Sequence, residues 1–227
     1  MFYIIETETQ LDRLQSLGRL GGYVDIIPSN FYYHPKLTET VAVYIRPINS
    51  KHGFIIPINH EEGLNVDRER VYEVLKSFNT LYTLDKKTLL YHFNLQGATD
   101  LSLLYSMVKF KKLEYSRDFM YINTFYNKFK NISVTNKLIP ISKLYEASEN
   151  IYSKIKDSID LTIPDGFDFY NNTATNVFFL LEQSGIGIHK EQFIEMFTPR
   201  DVKQNIVDDI TYTYYNLYNI TSRPTNA

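Results

Sequence analysis

Four residues in the sequence have types and positions that suggest chemistry. Asp25 stands between Val24 and Ile26 in an apolar run, and a buried carboxylate is costly unless it is paired or bound to a metal ion. Tyr145 and Glu149 lie four residues apart in a helical pattern, so one turn brings the phenol and the carboxylate to the same face. Asp100 opens another helical pattern. Together these residues predict an acidic site. The alternative role for Asp100 is that of an N-cap of its helix. The alternative for the later helix is that Tyr145 is a core tyrosine and Glu149 a solvated acid.

The elements that would position these residues follow an α/β order. Short β-rich runs and segments with apolar residues at helical spacing alternate, and they are separated by turns rich in Pro, Asn and Gly. Asp67 is a suitable N-cap for the second helix. We predict a strand, a helix, three strands in an antiparallel meander, a helix, a strand and a helix at residues 2–5, 9–17, 23–27, 41–45, 53–58, 68–78, 88–93 and 100–107.

The second half of the chain is predicted to be mostly helical. Helical patterns fill residues 109–163, and the loop that begins with Ile163 and Pro164 marks a domain boundary. We therefore expect one domain at residues 1–163 and a helical extension at 164–227. Its helices are predicted at residues 173–184, 190–196 and 202–218. The pattern of the last segment is also compatible with a strand.

Composition narrows the class of protein. With 227 residues and 44% hydrophobic content, the chain can form a globular core. A net charge of -2 argues against coating nucleic acid through bulk charge, so any DNA contact must be local. The absence of cysteine excludes disulfides, thiolate metal sites and a cysteine nucleophile. No apolar run approaches the roughly 20 residues of a membrane helix, which predicts a soluble, cytoplasmic protein without a membrane partner.

The element order resembles the opening of the ribonuclease H-like fold of proofreading 3′–5′ exonucleases, and three motifs make the resemblance specific. The first strand of that family carries Asp-x-Glu; here Asp25 matches and Ile27 stands in place of the glutamate. The second motif pairs an Asn at a strand end with an Asp four residues later; Asn94 and Asp100 match it with two extra residues between them. The third motif, Tyr-x-x-x-Asp, is matched by Tyr145 with Glu149 in place of Asp.

Two later segments resemble phage-type family A DNA polymerases. Residues 178–188 are similar to the leucine-rich helix, Glu-x-x-Gly and hydrophobic pair that lead from exonuclease to polymerase. Residues 218–225 are similar to the Thr-Gly-Arg-x-Ser stretch before the palm, with Ser222 replacing glycine and Arg223 matching the arginine that meets the primer–template backbone. The chain stops before any palm aspartates. The resemblance thus implies an exonuclease domain plus the beginning of a polymerase region, in the host cytoplasm if the gene is phage-encoded.

The resemblance also implies roles for the candidate residues. Asp25, Asp100 and Glu149 would hold Mg²⁺ or Mn²⁺, Tyr145 would orient water, and Asn94 would contact DNA together with Arg223. Because Ile27 removes one carboxylate, we favour a degenerate site in a domain that binds DNA or braces the polymerase part. The alternatives are an active 3′–5′ exonuclease in which Glu6 or Glu8 replaces the lost glutamate, and a scaffold that joins a separately encoded polymerase portion.

Overall fold

The computed structural model describes residues 3–31, 33–110 and 135–184, and it builds them from a mixed sheet and flanking helices. Short 3₁₀-helices occur at Gly18–Leu20, Pro35–Leu37, Asn136–Leu138 and Lys156–Ser158, and a π-helix occurs at Phe169–Ala174. The strands and α-helices in chain order are α1 (Glu8–Leu17), β1 (Gly22–Pro28), β2 (Thr40–Pro47), β3 (Phe54–Pro57), α2 (Arg68–Lys76), β4 (Leu81–Thr83), α3 (Lys86–Phe93), β5 (Thr99–Asp100), α4 (Leu101–Lys109), α5 (Ile141–Ile155) and α6 (Thr175–Ser184).

The sheet has the order β3-β2-β1-β4-β5. Short connections join β1, β2 and β3 into an antiparallel meander, as the sequence predicts. The connection from β3 to β4 contains α2, and the connection from β4 to β5 contains α3; β4 then pairs parallel with β1, and β5 pairs parallel with β4. The predicted α/β class, a mixed sheet flanked by helices, is confirmed.

Strand β1 is central, and all seven of its residues are buried. Alternation sends Tyr23 and Ile27 to one face and Val24 and Ile26 to the other, and each pair belongs to a different apolar cluster. A strand covered on both faces reads as a nearly continuous apolar run. This explains why Asp25 is the only charged residue in it.

Each face of the sheet is covered by its own set of helices. On the face of Val24 the apolar cluster takes in Leu11 and Leu14 of α1 and Leu75 of α2, together with residues of α3. On the opposite face the cluster takes in residues of α4 and α5, including Leu104, Leu144, Ala147 and Ile151. We call these the α2–α3 layer and the α5 layer.

One predicted strand is wrong. Residues 88–93 form most of the helix α3, whereas the strand beside β1 is the three-residue β4. A short continuous apolar run cannot be assigned to strand or helix from periodicity. Here Asp85 favours the helix, because it is the N-cap of α3. Its side chain accepts from the Thr88 backbone N–H at 3.1 Å. By contrast, the predicted helix after Asp67 is confirmed, since that carboxylate accepts from the N–H groups of Glu69 and Arg70.

The ends of the domain agree with the predictions only in part. Near the N-terminus the predicted strand is reduced to an isolated parallel bridge between Ile4 and Ile55. The predicted helix at 173–184 is observed as α6, while those at 190–196 and 202–218 lie outside the described residues. The described residues up to Phe179 belong to one compact unit. The boundary after residue 163 stays a prediction, and no helix in the described part of the chain is long and apolar enough to span a membrane.

Candidate functional site

The first-motif positions lie on the face of β1 that the α5 layer covers. Asp25 pairs with Tyr44 of β2 in the sheet register and is only 1% exposed. Alternation places Asp25 and Ile27 on the same face as Tyr23. Ile27 belongs to the apolar cluster of this layer, which includes Leu144 of α5. The isoleucine is therefore an ordinary core residue that serves packing.

The third-motif glutamate is held by a dense set of donors. Glu149 Oε1 accepts from the Tyr44 hydroxyl at 2.8 Å, from the Gly53 backbone N–H at 2.7 Å and from Arg46 Nη1 at 3.0 Å. Its Oε2 accepts from the same Arg46 Nη1 at 2.7 Å. Tyr145 stands one turn earlier on α5, close enough for the Glu149 charge to raise the pKa of its phenol in addition to the effect of burial. Tyr145 and Glu149 thus lie one turn apart on the same helix as the sequence predicts, and the charged partner of Glu149 is an arginine.

Electrostatics fix the protonation of this cluster. Burial alone raises the pKa of Glu149, but the bonds from Tyr44, Gly53 and Arg46 outweigh it and hold the pKa below the ordinary glutamate value. Burial first, and the Glu149 charge second, raise the pKa values of both Tyr44 and Tyr145. At neutral pH the cluster is therefore a carboxylate surrounded by neutral phenols and one guanidinium.

The guanidinium of Arg46 makes two further contacts, a hydrogen bond and a cation–π contact. Its Nη2 donates to the Lys51 carbonyl oxygen at 2.7 Å, and its central carbon lies 4.8 Å from the centre of the Tyr152 ring. Gly53 is needed for the close approach of Tyr44, because a Cβ at that position would lie 2.1 Å from the Tyr44 hydroxyl oxygen. The arrangement is built into β2, the turn after it and α5 together. We call Tyr44, Arg46, Gly53 and Glu149 the Arg46–Glu149 cluster.

Asp100 occupies a different position, at the start of α4. Its Oδ1 accepts from the Leu103 N–H and its Oδ2 from the Lys86 N–H, both at 3.0 Å. The N-cap alternative for Asp100 is therefore what the geometry shows. Its carboxyl group is nearly enclosed although the residue as a whole is half-buried, and this burial raises its pKa to about 6. Asp100 serves at the least as a structural cap.

Lys86 lies beside this cap and is fully buried. Its Nζ donates to Asn172 Oδ1 at 2.7 Å, and the neighbouring Asn171 accepts from the Asp100 N–H at 2.9 Å. Burial lowers the pKa of Lys86 to about 8, against the opposing pull of the Asp100 charge. These contacts connect the beginnings of α3 and α4 to the π-helix.

The asparagine predicted for the second motif lies at the end of a helix. Asn94 does not end a strand; it is the left-handed C-cap of α3, with φ at 50°. The strand that runs beside β1 is β4, and the carboxylate at its junction with the following helix is Asp85. The Asp85 charge raises the pKa of Asp100, so the two acids act on each other. Sequence reasoning missed Asp85, although an aspartate three residues before Thr88 is a helix-start signal.

The predicted metal ligands are not gathered into one site among the described residues. In the ranges 3–31, 33–110 and 135–184, no group of three or more His, Asp or Glu side chains could hold a metal ion. Ile27 offers no ligand, and both Glu149 oxygens already accept from protein donors. The metal-ligand roles of Asp25, Asp100 and Glu149 stay predictions. The predicted DNA contact Arg223 lies outside the described residues.

Structural comparison supplies a likeness where sequence comparison does not. No protein-family model and no curated protein matches the chain. A solved structure described as "apo form of the nuclease" is similar to it with a TM-score of 0.50 and 13% identity, covering 83% of this chain and 98% of the other. The Nibbler EXO domain of Aedes aegypti is similar with a TM-score of 0.45 and 12% identity, covering 78% of this chain and 95% of that domain. The first likeness, together with the sheet order, shows that the chain has the predicted ribonuclease H-like fold.

Proposed function

We propose that this chain is an exonuclease-like domain of a family A-type DNA polymerase that binds single-stranded DNA without cleaving it efficiently. The Arg46–Glu149 cluster is the observation that carries the proposal. Glu149 matches the metal carboxylate of the third motif. It is paired with the guanidinium of Arg46 at 2.7 Å, so its negative charge is already compensated by a protein side chain. The polymerase context rests on the resemblance of residues 178–188 and 218–225 to such enzymes.

A metal ion would have to displace several strong interactions to reach Glu149. The carboxylate accepts from Arg46, Tyr44 and Gly53, and a hydrogen bond to a charged group is worth about 1.5–3 kcal/mol. Two-metal cleavage depends on acidic side chains that clamp both cations. With Ile27 in the first motif and Glu149 occupied, this chain offers less acidic charge than that mechanism uses.

An active 3′–5′ exonuclease is the second candidate. It is favoured by Asp85, which stands where β4 meets α3 and whose charge acts on Asp100. In this alternative Asp25, Asp85 and Asp100 would bind Mg²⁺ or Mn²⁺ and assemble fully only with DNA. Apo geometry alone does not exclude a catalytic role, because catalytic contacts tighten in the substrate complex.

The deciding experiment follows a 5′-labelled single-stranded oligonucleotide with Mg²⁺ or Mn²⁺. Wild-type protein is compared with Asp25→Ala and Asp85→Asn, and with Asp12→Ala on α1 as a matched surface control. Fluorescence anisotropy in the same buffers measures binding, and electron paramagnetic resonance measures bound Mn²⁺. We expect binding, no shortening and no tightly bound Mn²⁺. Shortening that Asp25→Ala abolishes and Asp12→Ala preserves would establish the active enzyme, and absence of both binding and shortening would refute a DNA role.

A further inference from the structure

A cleft lies in the α2–α3 layer, away from the α5 layer that holds the Arg46–Glu149 cluster. It consists of two adjoining cavities of about 210 and 350 Å³ that share Arg68, Tyr91 and His92 as lining residues. Tyr72 and Asn94 line the first cavity, and Thr38, Glu39 and Asn59 line the second. Sites for small organic ligands occupy roughly 300–1,000 Å³. The larger cavity falls within this range and the smaller one below it, so a ligand of nucleotide size would extend over both.

The aromatic and amide walls of the cleft are held in place. The Tyr91 ring makes edge contacts with His34 and Phe179, with ring centres 5.1 and 4.7 Å apart. His92 is buried, and its Nδ1 lies 2.9 Å from the Thr40 hydroxyl. Asn94 is fixed by its left-handed backbone at the end of α3 while its side chain is exposed. A preformed wall lowers the ordering cost that a ligand would otherwise meet.

Arg68 supplies the positive charge. One of its N–H groups donates to the His92 carbonyl oxygen, and its guanidinium lies 5.2 Å from the centre of the Phe93 ring. Half of the side chain remains exposed, and the nearest Glu69 oxygen is 3.8 Å away, longer than a hydrogen bond. The other acid of the cleft, Glu39, is paired with Lys137 at 2.7 Å, which lowers its pKa. The Arg68 guanidinium is therefore held in one orientation, and its positive charge is only weakly compensated by nearby carboxylates.

The three chemical groups suit the base and the phosphate of a nucleotide. Aromatic rings such as those of Tyr72 and Tyr91 stack on bases whatever their identity. The amide of Asn94 can donate to and accept from the edge of a base, as Asn does with adenine. A planar guanidinium such as that of Arg68 binds phosphate oxygens in pairs. We propose that this cleft binds a nucleotide, free or at a strand end, through a base placed against the tyrosines and a phosphate placed at Arg68.

Nucleotide binding in this cleft does not depend on the proposed function, because no residue of the Arg46–Glu149 cluster lines it. Binding should survive metal chelation and the substitution Asp25→Ala. A protein that cuts DNA and a protein that only binds it can both carry such a cleft. Failure at one site is consequently distinguishable from failure at the other.

The test titrates ¹⁵N-labelled protein with dAMP, deoxyadenosine or inorganic phosphate in EDTA and follows backbone amide shifts by NMR. We expect dAMP to shift the amides of Tyr91 and Asn94 and to bind more tightly than deoxyadenosine or phosphate. A 5′-phosphorylated oligodeoxyadenylate forms a fourth arm: tighter binding than dAMP assigns the cleft to a strand end, and equal binding assigns it to the free nucleotide. Equal shifts with phosphate alone would reduce the cleft to a simple anion site and overturn the proposal.

Three variants sharpen the result. Asn94→Gly removes the amide and keeps a residue suited to the left-handed C-cap, so the fold is preserved; loss of one hydrogen bond should weaken dAMP binding about fivefold. Tyr72→Leu removes one aromatic face and should weaken binding about tenfold. Asn150→Ala, on an exposed position of α5, is the matched control and should change nothing. Unchanged affinity in both Asn94→Gly and Tyr72→Leu would overturn the proposal.

Discussion

The ion pair between Arg46 and Glu149 should contribute far more than an ordinary surface pair, and a double-mutant cycle can measure it. The side chains are 13% and 28% exposed, between the surface and the interior. Surface pairs contribute about 0–1 kcal/mol, whereas removing one partner of a buried pair costs about 3–5 kcal/mol. For Arg46→Met and Glu149→Gln, singly and together, we therefore expect a coupling energy of about 2–3 kcal/mol at pH 7.

Helix α5 contains its own control for this cycle. Lys143 and Glu146 also approach to 2.7 Å, but their side chains are 57% and 59% exposed. A pair with the same distance and greater exposure should couple by only about 0.3 kcal/mol. Urea unfolding of both sets of variants compares the two pairs directly. A coupling below about 0.5 kcal/mol for Arg46 and Glu149 would show that burial does not strengthen this pair and refute the reasoning.

The pH dependence of the same coupling has a definite sign. The pKa of Glu149 is lower in the folded protein than its ordinary value of 4.5, so the folded state favours the carboxylate. Stability from this group is present above the unfolded pKa and is lost as the pH falls through the folded pKa. The coupling energy should hold from neutral pH down to about 5 and shrink below about 4. A coupling that grows on acidification would contradict this assignment.

Three further outcomes follow from single contacts, each measured by urea unfolding. Gly53→Ala would push a Cβ onto the Tyr44 hydroxyl and should cost about 1–3 kcal/mol, whereas Gly97→Ala meets nothing within 4 Å and should be close to neutral. Asp67→Ala removes the N-cap of α2 and should cost about 1 kcal/mol, most of which Asp67→Asn should restore. Because burial raises the pKa of Asp100 to about 6, the wild-type should lose stability relative to Asp100→Asn as the pH rises from about 4 to about 6, and a constant difference would refute this.

The meander and its neighbouring helices were predictable because their signals are local. Strands β1, β2 and β3 are β-rich runs bounded by turn residues, and Asp67 stands directly before the apolar spacing of α2. The helix carrying Tyr145 and Glu149 was predictable for the same reason, since its apolar residues recur at helical spacing.

The wrong assignment of residues 88–93 to a strand has a physical cause. Strand β4 is only three residues long, and its place is decided by pairing with β1 rather than by its own sequence. The apolar run at residues 88–93 has the composition of a strand, and it was therefore assigned to the strand that β4 forms in the structure. The Arg46 contact with Glu149 was beyond prediction as well, because it joins positions more than a hundred residues apart in the chain.

The position of β1 between an early and a late partner has a consequence for folding kinetics. Its pairing with β2 closes a short loop, whereas its pairing with β4 must wait until α2 has been ordered between them. Loop closure between distant segments is slower and entropically more expensive than a hairpin. During synthesis the meander can therefore form before β4, β5 and α5 have emerged from the ribosome, with the apolar side chains of one sheet face exposed. A chain released before α5 would present that bare sheet face to other molecules, which favours aggregation.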